Sequence, residues 1–355
     1  MQLECILKLY FCKKTTMMNT SAITQIKDFL NKQLTVEALK GLIIDDYEEV
    51  KQVDTSESLS SLTNTYIKDW QAQKVESSFI YTGFPSLDAL TGGFCLGDFI
   101  VVAARPGMGK TQLMVDLTLR FSRAGFPVHY FTFDLSKKGL TDRFIACESG
   151  IALHQVIHHQ LNEQEASKIW ACDKSLSETL VGISEDIQQS LTGFIALCVD
   201  LVTNKGIKVI VIDYLQLLST FRFKNNREQQ IALITRELKK MARAHKVCVI
   251  ATSQLSRSVE TRGGDKRPML SDLRESGAIE QDADKVLFLY RSEYYQITED
   301  EYGNSTIGQM EVIVAKNKTG ITSTANLMVN AHFTSFSDGG GIYDITLPAD
   351  RLSEI

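Results

Sequence analysis

A glycine-rich stretch in the first third of the chain has the residue types that bind phosphate groups. It follows the apolar run 99–103 and precedes an amphipathic helical pattern. Glycines let the backbone come close to a phosphate, and the N–H groups at the start of a helix point towards it. Lys110 supplies a cation for the β- and γ-phosphates, and Thr111 supplies a hydroxyl ligand for Mg²⁺. The residues predicted to bind a nucleoside triphosphate are Arg105, Pro106, Gly107, Met108, Gly109, Lys110, Thr111 and Gln112.

Three polar residues follow other apolar runs of the chain. They are Asp134, Asp213 and Gln254. The carboxyl ends of parallel strands meet at one edge of a sheet, where open α/β folds bind ligands. Asp213 is predicted to hold Mg²⁺ together with Thr111, and Asp134 is placed to polarise an attacking water. For Gln254 two interpretations fit equally, a sensor of the γ-phosphate or a solvent-facing amide.

The elements that must position these residues alternate between strands and helices. Continuous apolar runs indicate strands that are covered on both faces, as in a parallel sheet. The predicted strands are 99–103, 128–133, 209–212, 247–250 and 286–289, and the predicted helices between them include 112–123, 186–203 and 228–244. After residue 310 shorter runs predict an antiparallel edge at 311–314, 326–329 and 342–345. The pattern predicts a doubly wound α/β domain with a mainly parallel sheet and antiparallel C-terminal edge strands.

The residues before this domain have a different pattern. Residues 20–50 have helical spacing, and a polar linker follows, so that 1–56 is predicted as a short helical N-terminal region. A helix over 57–74 has an apolar stripe that includes Leu59 and Leu62. Its spacing fits packing on its own domain and docking on a neighbouring subunit equally. The predicted domains are therefore 1–56, a linker helix within 57–76 and an ATPase domain over 77–355.

The composition excludes several classes of protein. The chain has 355 residues, a net charge of −5 and seven cysteines without a CxxC pair. That cysteine pattern argues against a disulfide framework and a zinc site. No apolar stretch is long enough to span a bilayer, and the start lacks the features of a signal peptide. We therefore expect a cytoplasmic protein without a membrane partner, in which any positive charge for nucleic acid is local.

Several longer motifs resemble one known family. They are Thr82-Gly83-Phe84-Pro85-Ser86-Leu87-Asp88, the phosphate-binding loop, Val211-Ile212-Asp213-Tyr214-Leu215-Gln216-Leu217, and the stretch from Ser253 through Ser271-Asp272-Leu273-Arg274-Glu275-Ser276-Gly277 to Asp284. Together they resemble the RecA-like motor domain of DnaB-type replicative DNA helicases, over about residues 57–346. The resemblance implies an ATP-dependent helicase that forms a ring, which is hexameric in the family. It also implies the use of ATP and Mg²⁺ and movement on single-stranded or forked DNA.

The family also implies roles for individual residues. Gln254 matches its γ-phosphate sensor, and the linker helix matches one that docks on the adjacent protomer. Arg274, Glu275 and Gly277 match the loop that grips the DNA backbone, which suits an arginine charge and a glycine N–H. Lys316 and Lys318 match the motif that reaches the neighbouring subunit's ATP. A primase or a helicase loader is the implied protein partner.

Three departures from the family's pattern affect this interpretation. The family's catalytic acid is normally glutamate, and the matching residue here is Asp134. Its arginine finger is Lys318 here, which keeps the charge but loses the planar guanidinium fork. The segment before residue 57 is short for the family's N-terminal collar, which suggests a phage, plasmid or other mobile-element form. The alternatives are a RecA-like DNA-dependent ATPase without helicase activity and a low-turnover ring or loading platform.

Overall fold

The apolar runs form the strands of one large sheet. In the computed structural model the described residues are 58–71, 79–185, 190–218, 226–263, 266–273, 277–300 and 302–342. The strands are β1 (Phe79–Ile80), β2 (Phe94–Cys95), β3 (Phe99–Ala104), β4 (Val128–Thr132), β5 (Val181–Glu185), β6 (Val209–Asp213), β7 (Cys248–Gln254), β8 (Lys285–Tyr290), β9 (Gln309–Asn317), β10 (Thr324–Val329) and β11 (Phe336–Ile342). Strands β3 to β11 form the sheet, in the order β11-β10-β9-β8-β3-β7-β6-β4-β5. The short strands β1 and β2 pair with each other.

The strands from β8 to β5 in this order are parallel, and β9 to β11 are antiparallel at one edge. Every residue of β3, β4, β6 and β8 is buried. Alternate residues of these strands point to opposite faces and enter two separate hydrophobic clusters. This is the arrangement that continuous apolar runs predict, and the predicted α/β fold with an antiparallel C-terminal edge is confirmed.

Helices cover both faces of the sheet. Their bounds are α1 (Leu59–Gln71), α2 (Pro85–Thr91), α3 (Lys110–Arg123), α4 (Lys137–Ser149), α5 (Leu153–His158), α6 (Glu163–Ser177), α7 (Leu191–Lys205), α8 (Arg227–His245), α9 (Ser258–Thr261) and α10 (Gly277–Asp282). Helices α2, α3 and α4 contribute to one cluster, and α7 and α8 contribute to the other. Helix α3 begins directly after the phosphate-binding loop, and its apolar side packs against the sheet. Among the described helices, none is long and apolar enough to cross a membrane.

Helix α1 lies within the segment predicted as a linker helix and belongs to a unit of its own, 1–75. Leu59 and Leu62 on this helix are exposed. The predicted helices within 20–50 lie outside the described residues. The same holds for two of the predicted DNA-binding residues, Arg274 and Glu275.

Two strand predictions were wrong or incomplete. The last edge strand was predicted at 342–345, whereas β11 covers Phe336–Ile342, and residues 343–345 lie outside the described residues. Its sequence, Phe-Ser-Asp-Gly-Gly-Gly-Ile, contains no apolar run, and it forms because β10 supplies the backbone partners. Strand β5 at the other edge was not predicted, because its five residues are only partly buried and include a glycine and a serine.

Candidate active site

The phosphate-binding loop joins the end of β3 to the start of α3. Gly107 has φ 80° and Gly109 has φ 91°, a region that glycine adopts without a steric penalty. A Cβ atom on Gly107 would lie 2.9 Å from the ring of Tyr294, and one on Gly109 would lie 3.1 Å from Cε of Met310. Both positions therefore favour glycine for conformation, and at Gly107 a Cβ atom would also need the ring of Tyr294 to move. The loop lies close to Tyr294 and Met310 and leads into the start of α3. The N–H groups at the start of a helix suit a bound phosphate chain.

Lys110, the first residue of α3, donates a hydrogen bond from Nζ to the carbonyl oxygen of Ala104 at 3.1 Å. Burial lowers the pKa of Lys110, and the carboxylates of Asp213 and Asp134 partly oppose that shift. The ammonium group is therefore held by a neutral carbonyl in a partly desolvated place. A phosphate group that entered this place would meet a cation with little competing water.

Asp213, the last residue of β6, is buried and accepts hydrogen bonds from three hydroxyl groups. The hydroxyls of Thr111 and Tyr130 donate to its Oδ2 at 2.8 and 2.9 Å, and that of Thr252 donates to Oδ1 at 2.6 Å. Burial, followed by the charge of Asp213, raises the pKa of Tyr130 well above its usual range. The structure thus brings the two predicted Mg²⁺ ligands, Thr111 and Asp213, into direct contact. A hydroxyl and a carboxylate are ligands that suit this cation.

Sequence reasoning did not find Tyr130 and Thr252. Tyr130 lies two residues before the end of β4, and Thr252 lies two residues before the end of β7. Strands β4 and β7 are the two neighbours of β6 in the sheet. The one available signal was a hydroxyl group inside a mainly apolar strand, which is also common in strands without a ligand site.

A cavity of about 570 Å³ lies at the carboxyl edge of the parallel strands. Its lining residues are Pro106, Gly107, Gly109, Lys110, Thr111, Gln112, Asp134, Arg143, Asp213, Tyr214, Gln254, Arg291, Met310, Val329, Phe333 and Phe336. The structure therefore places Asp134, Asp213 and Gln254 around the same cavity as most of the phosphate-binding loop. Arg105 and Met108 belong to the loop but are not among its lining residues.

Two turns hold the polar ends of β4 and β7. The hydroxyl of Thr132 donates to the carbonyl oxygen of Leu135 at 2.9 Å, which fixes the turn that carries Asp134. At the end of β7, the side chain of Gln216 donates to the carbonyl oxygen of Gln254 at 3.2 Å and accepts from its N–H at 3.3 Å. The backbone of Gln254 is thus engaged, and its side chain lines the cavity.

Two residues that line the cavity, Arg291 and Phe333, were not predicted from the sequence. The guanidinium carbon of Arg291 lies 4.2 Å above the ring centre of Phe333. Phe333 has φ 55° and lies in the turn between β10 and β11. That turn is joined to α3, because the side chain of Gln112 donates to the carbonyl oxygen of Thr334 at 2.6 Å. A guanidinium plane and an aromatic face are groups on which a flat heterocycle stacks.

Lys316 and Lys318 lie near the amino ends of the parallel strands, opposite to the carboxyl ends that form the cavity. Nζ of Lys318 is 3.1 Å from Oδ1 of Asp284, and the N–H of Asp284 donates to the carbonyl oxygen of Phe99 at 2.8 Å. Phe99 begins β3, whereas the phosphate-binding loop follows its end. Five residue steps at about 3.3 Å each separate these ends by about 17 Å. Lys316 donates from Nζ to the carbonyl oxygens of Glu280 and Gln281, at the same edge.

Of the predicted DNA-binding residues, the structure describes Gly277, the first residue of α10. It is exposed, and a Cβ atom there would meet no atom within 4 Å. Space alone therefore does not require glycine at this position. Its backbone is accessible from solvent.

Comparison with known proteins agrees with this architecture. Residues 80–338 match the family described as DnaB-like helicase C terminal domain. The chain is 38% identical over 279 residues to the Replicative DNA helicase DnaC of Bacillus subtilis, and this match covers 78% of this chain and 60% of that protein. It is 39% identical over 263 residues to the Replicative DNA helicase DnaB of Geobacillus stearothermophilus, and this match covers 74% of this chain and 57% of that protein. It thus spans about three-fifths of the length of these curated relatives.

Two solved structures are also similar. One is an ATPase domain with a TM-score of 0.72 and 33% identity, and the match covers 80% of this chain and 99% of that one. The other is a DnaB-like replicative helicase, whose structure was studied with its interactions with primase. It has a TM-score of 0.70 and 32% identity over 92% of this chain and 77% of that one. The residues of the family match, 80–338, include every residue that lines the cavity. The chain therefore belongs to the family of DnaB-like helicase C-terminal domains.

Proposed function

We propose that this chain is the motor of an ATP-dependent replicative DNA helicase. One observation carries the proposal: Lys110, the Thr111–Asp213 pair, Asp134 and Gln254 surround a single cavity at the carboxyl edge of the sheet. They are the groups needed to bind a triphosphate, neutralise its charge and orient a water molecule. The family match supports the coupling of this chemistry to DNA unwinding.

In this proposal ATP lies with its phosphates on the loop between β3 and α3. The N–H groups around Gly107 and Gly109 and the ammonium group of Lys110 bind the phosphate oxygens. The hydroxyl of Thr111 and the carboxylate of Asp213, which are in contact, would together hold Mg²⁺. When bound, Mg²⁺ neutralises the charge that develops on the phosphates. Arg291 and Phe333, which line the same cavity, are assigned to the base of the nucleotide.

The attacking water is assigned to Asp134 and Gln254. Both side chains line the cavity beside the phosphate-binding loop. The carboxylate of Asp134 polarises the water by accepting a hydrogen bond from it, and Gln254 senses the γ-phosphate. The aspartate side chain is one methylene shorter than the family's glutamate, and a misplacement of about 1 Å can lower a rate by about 100-fold.

Lys316 and Lys318 are assigned to the ATP of a neighbouring subunit. They lie at the edge of the sheet opposite to the chain's own phosphate-binding loop, which supports a role in trans. A contact between opposite edges of successive copies is heterologous and can close into a ring. We propose a hexameric ring, in which the exposed Leu59 and Leu62 of α1 dock on a neighbouring subunit.

DNA is assigned to the loop of Arg274, Glu275 and Gly277 in the centre of that ring. The arginine neutralises a phosphate of single-stranded or forked DNA, and the N–H of Gly277 donates to the backbone. A primase or a loader is the proposed protein partner, and the cytoplasm is the proposed location. The similar DnaB-like helicase was studied with its interactions with primase, which supports the first of these partners.

Substitution of Lys110 by alanine tests the proposed activity. We expect ATP hydrolysis to fall to background and unwinding of a forked duplex to stop, because the triphosphate loses its cation. The measurement is phosphate release with and without single-stranded DNA, alongside a strand-displacement assay. Lys138→Ala is the matched control, because Lys138 forms an exposed ion pair with Asp142. A Lys110→Ala protein that still hydrolyses ATP would contradict the assignment of the site.

Mixed rings test the assignment of Lys318 to the neighbouring subunit. We expect Lys318→Ala subunits and Asp134→Ala subunits to be inactive separately. In a mixture, some interfaces combine an intact Asp134 with an intact Lys318, so that part of the ATPase activity returns. If no mixing ratio exceeds the activity of either variant alone, the shared site is wrong.

A ring or loading platform with little turnover is the second candidate function. It is favoured by Asp134, which is short for a catalytic acid, and by Lys318, whose ammonium group contacts Asp284. The ATPase rates of Asp134→Glu and Lys318→Arg distinguish the two functions. A motor has a measurable rate in the wild type, whereas a platform gains substantial turnover only with these substitutions.

A further inference from the structure

Arg105 belongs to the phosphate-binding loop, but its side chain leads away from the cavity. It is buried, with 6% of its surface exposed. Its Nη1 donates to the carbonyl oxygen of Leu255 at 2.7 Å, and its Nε and Nη2 each lie 2.9 Å from Oε1 of Glu260. The guanidinium group is thus committed to the segment that follows β7, and it is not available to a phosphate in this arrangement.

The segment that receives Arg105 is held together by its own contacts. The N–H of Ser256 donates to the carbonyl oxygen of Asp272 at 3.1 Å, which joins its two ends. Arg262 forms an ion pair with Asp272, and Nζ of Lys266 donates to the carbonyl oxygen of Glu260 at 2.7 Å. We call residues 255–263 and 266–273 the clamp segment. These contacts connect its beginning, middle and end.

The clamp segment lies between two parts of the proposed motor. At its start, the N–H of Leu255 donates to the carbonyl oxygen of Ala104 at 3.2 Å, directly before the phosphate-binding loop. Its last residue, Leu273, immediately precedes Arg274 in the sequence. The pair of Arg105 and Glu260 is therefore a side-chain link from the loop that binds phosphates to the segment that leads to the DNA-binding loop.

We propose that Arg105 and Glu260 are positioning residues that couple nucleotide binding to DNA binding. The inference rests on the proposed helicase function and names the pair through which the two sites communicate. Phosphates that bind around Gly107 fix the loop, Arg105 moves with its neighbours, and Glu260 carries the clamp segment with it. The two side chains resist separation, because a buried guanidinium that loses its carboxylate keeps an uncompensated charge.

Glu260 is the residue to change, since it lies outside the groups assigned to ATP and DNA. The hydrogen bonds from Arg105 lower the pKa of Glu260, so it is ionised at neutral pH. Glu260→Ala removes the link, and Glu260→Gln removes its charge with less change in shape. Glu237→Ala is the matched control, because Glu237 is a carboxylate of similar exposure, 36% against 41%, in an ion pair with Lys240 on α8.

The measured quantity is the ratio of the Kd for a labelled oligo-dT strand without and with a non-hydrolysable ATP analogue. Coupling between two sites typically changes an affinity by about 5- to 150-fold. We expect Glu260→Ala to reduce the ratio to within about twofold of unity, and Glu237→Ala to leave it unchanged. The Kd of each ligand measured alone stays within about threefold of the wild type, which a general loss of structure would not allow. Circular dichroism and thermal unfolding verify the fold, and Glu260→Gln carries the test if the alanine variant does not fold.

The outcomes separate the inference from the function on which it rests. A wild-type ratio above unity that falls in the Glu260 variants supports the coupling role. A wild-type ratio above unity that persists in them overturns the inference and leaves the helicase function in place. A wild type that binds the ATP analogue but shows no effect on DNA affinity contradicts the proposed function itself, and the coupling role with it.

Discussion

Substitution of Thr252 by valine removes one of the three hydroxyl groups that donate to Asp213. Thr252 is fully buried and Asp213 is 4% exposed, so water cannot easily replace the lost donor. The other two hydroxyls, of Thr111 and Tyr130, bind Oδ2, and Thr252 binds Oδ1 at 2.6 Å. A hydrogen bond to a charged group contributes about 1.5 to 3 kcal/mol, and we expect the free energy of unfolding to fall by that amount.

The matched control is Thr118→Val. Thr118 is also fully buried, and its hydroxyl donates at 2.7 Å to the carbonyl oxygen of Met114 in the same helix. That acceptor is neutral, so the expected loss is about 0.5 to 1.5 kcal/mol. Both variants exchange a hydroxyl for a methyl group, and the comparison therefore isolates the charge of Asp213.

Urea unfolding of the wild type and both variants, followed by circular dichroism, measures the difference. We expect Thr252→Val to be the less stable variant by about 1 kcal/mol or more, with an unchanged slope of free energy against urea. Equal losses within about 0.5 kcal/mol would refute the reasoning, because the hydroxyl of Thr252 would then not be stabilising a charged carboxylate.

Three further predictions concern other parts of the molecule. Lys285→Met should lower the free energy of unfolding by about 3 to 5 kcal/mol in a urea titration, because Lys285 is fully buried in an ion pair with Asp98 at 2.8 Å. Gly107→Ala should weaken binding of an ATP analogue by at least about tenfold in a calorimetric titration, since φ is 80° and Tyr294 leaves no room for a Cβ atom. Burial lowers the pKa of Lys110, and bound phosphates should raise it again. Nucleotide binding should therefore take up protons, and the affinity should weaken as the pH rises towards the usual lysine value of 10.5. Calorimetric titrations in buffers of different ionisation enthalpy measure this proton uptake.

The controls for these predictions come from the same chain. Asp98→Asn combined with Lys285→Met should recover part of the loss, and no recovery would contradict the assignment of the loss to an unpaired carboxylate. Gly150 has φ 69° and open space around its Cβ position, so Gly150→Ala should leave nucleotide affinity unchanged. Equal effects of the two glycine substitutions would contradict the steric argument. Nucleotide binding without proton uptake at alkaline pH would contradict the shift at Lys110.

Much of the core could be predicted because its patterns are local. A strand covered on both faces is apolar along most of its length, and β3, β6 and β8 are recognisable by their continuous apolar runs. The phosphate-binding loop is equally local, since its glycines, its lysine and its threonine act within eight residues. Strand β11 could not be located in this way, because its formation depends on β10 and not on its own composition.

Most residues of the site were predicted, but most of the contacts between them were not. Asp213 was expected to meet Thr111 across the sheet edge, because both follow strands of one parallel sheet. The hydroxyls of Tyr130 and Thr252 on Asp213 depend on β6 lying between β4 and β7, an order that the chain sequence does not specify. The direction of the Arg105 side chain was also not predictable, since it turns from its own loop to Glu260, 155 residues away.

The amino-acid sequence by itself determined the alternation of strands and helices, the phosphate-binding loop and the family that the motifs resemble. Each of these is written in residues that are neighbours in the chain, so periodicity and spacing are sufficient to recognise it. Only the tertiary structure decided the hydroxyl donors Tyr130 and Thr252 to Asp213, the placement of Lys318 beside Asp284, and the link from Arg105 to the clamp segment. These contacts join residues that are far apart in the chain, and they follow from the order and register of the sheet, which no local pattern records.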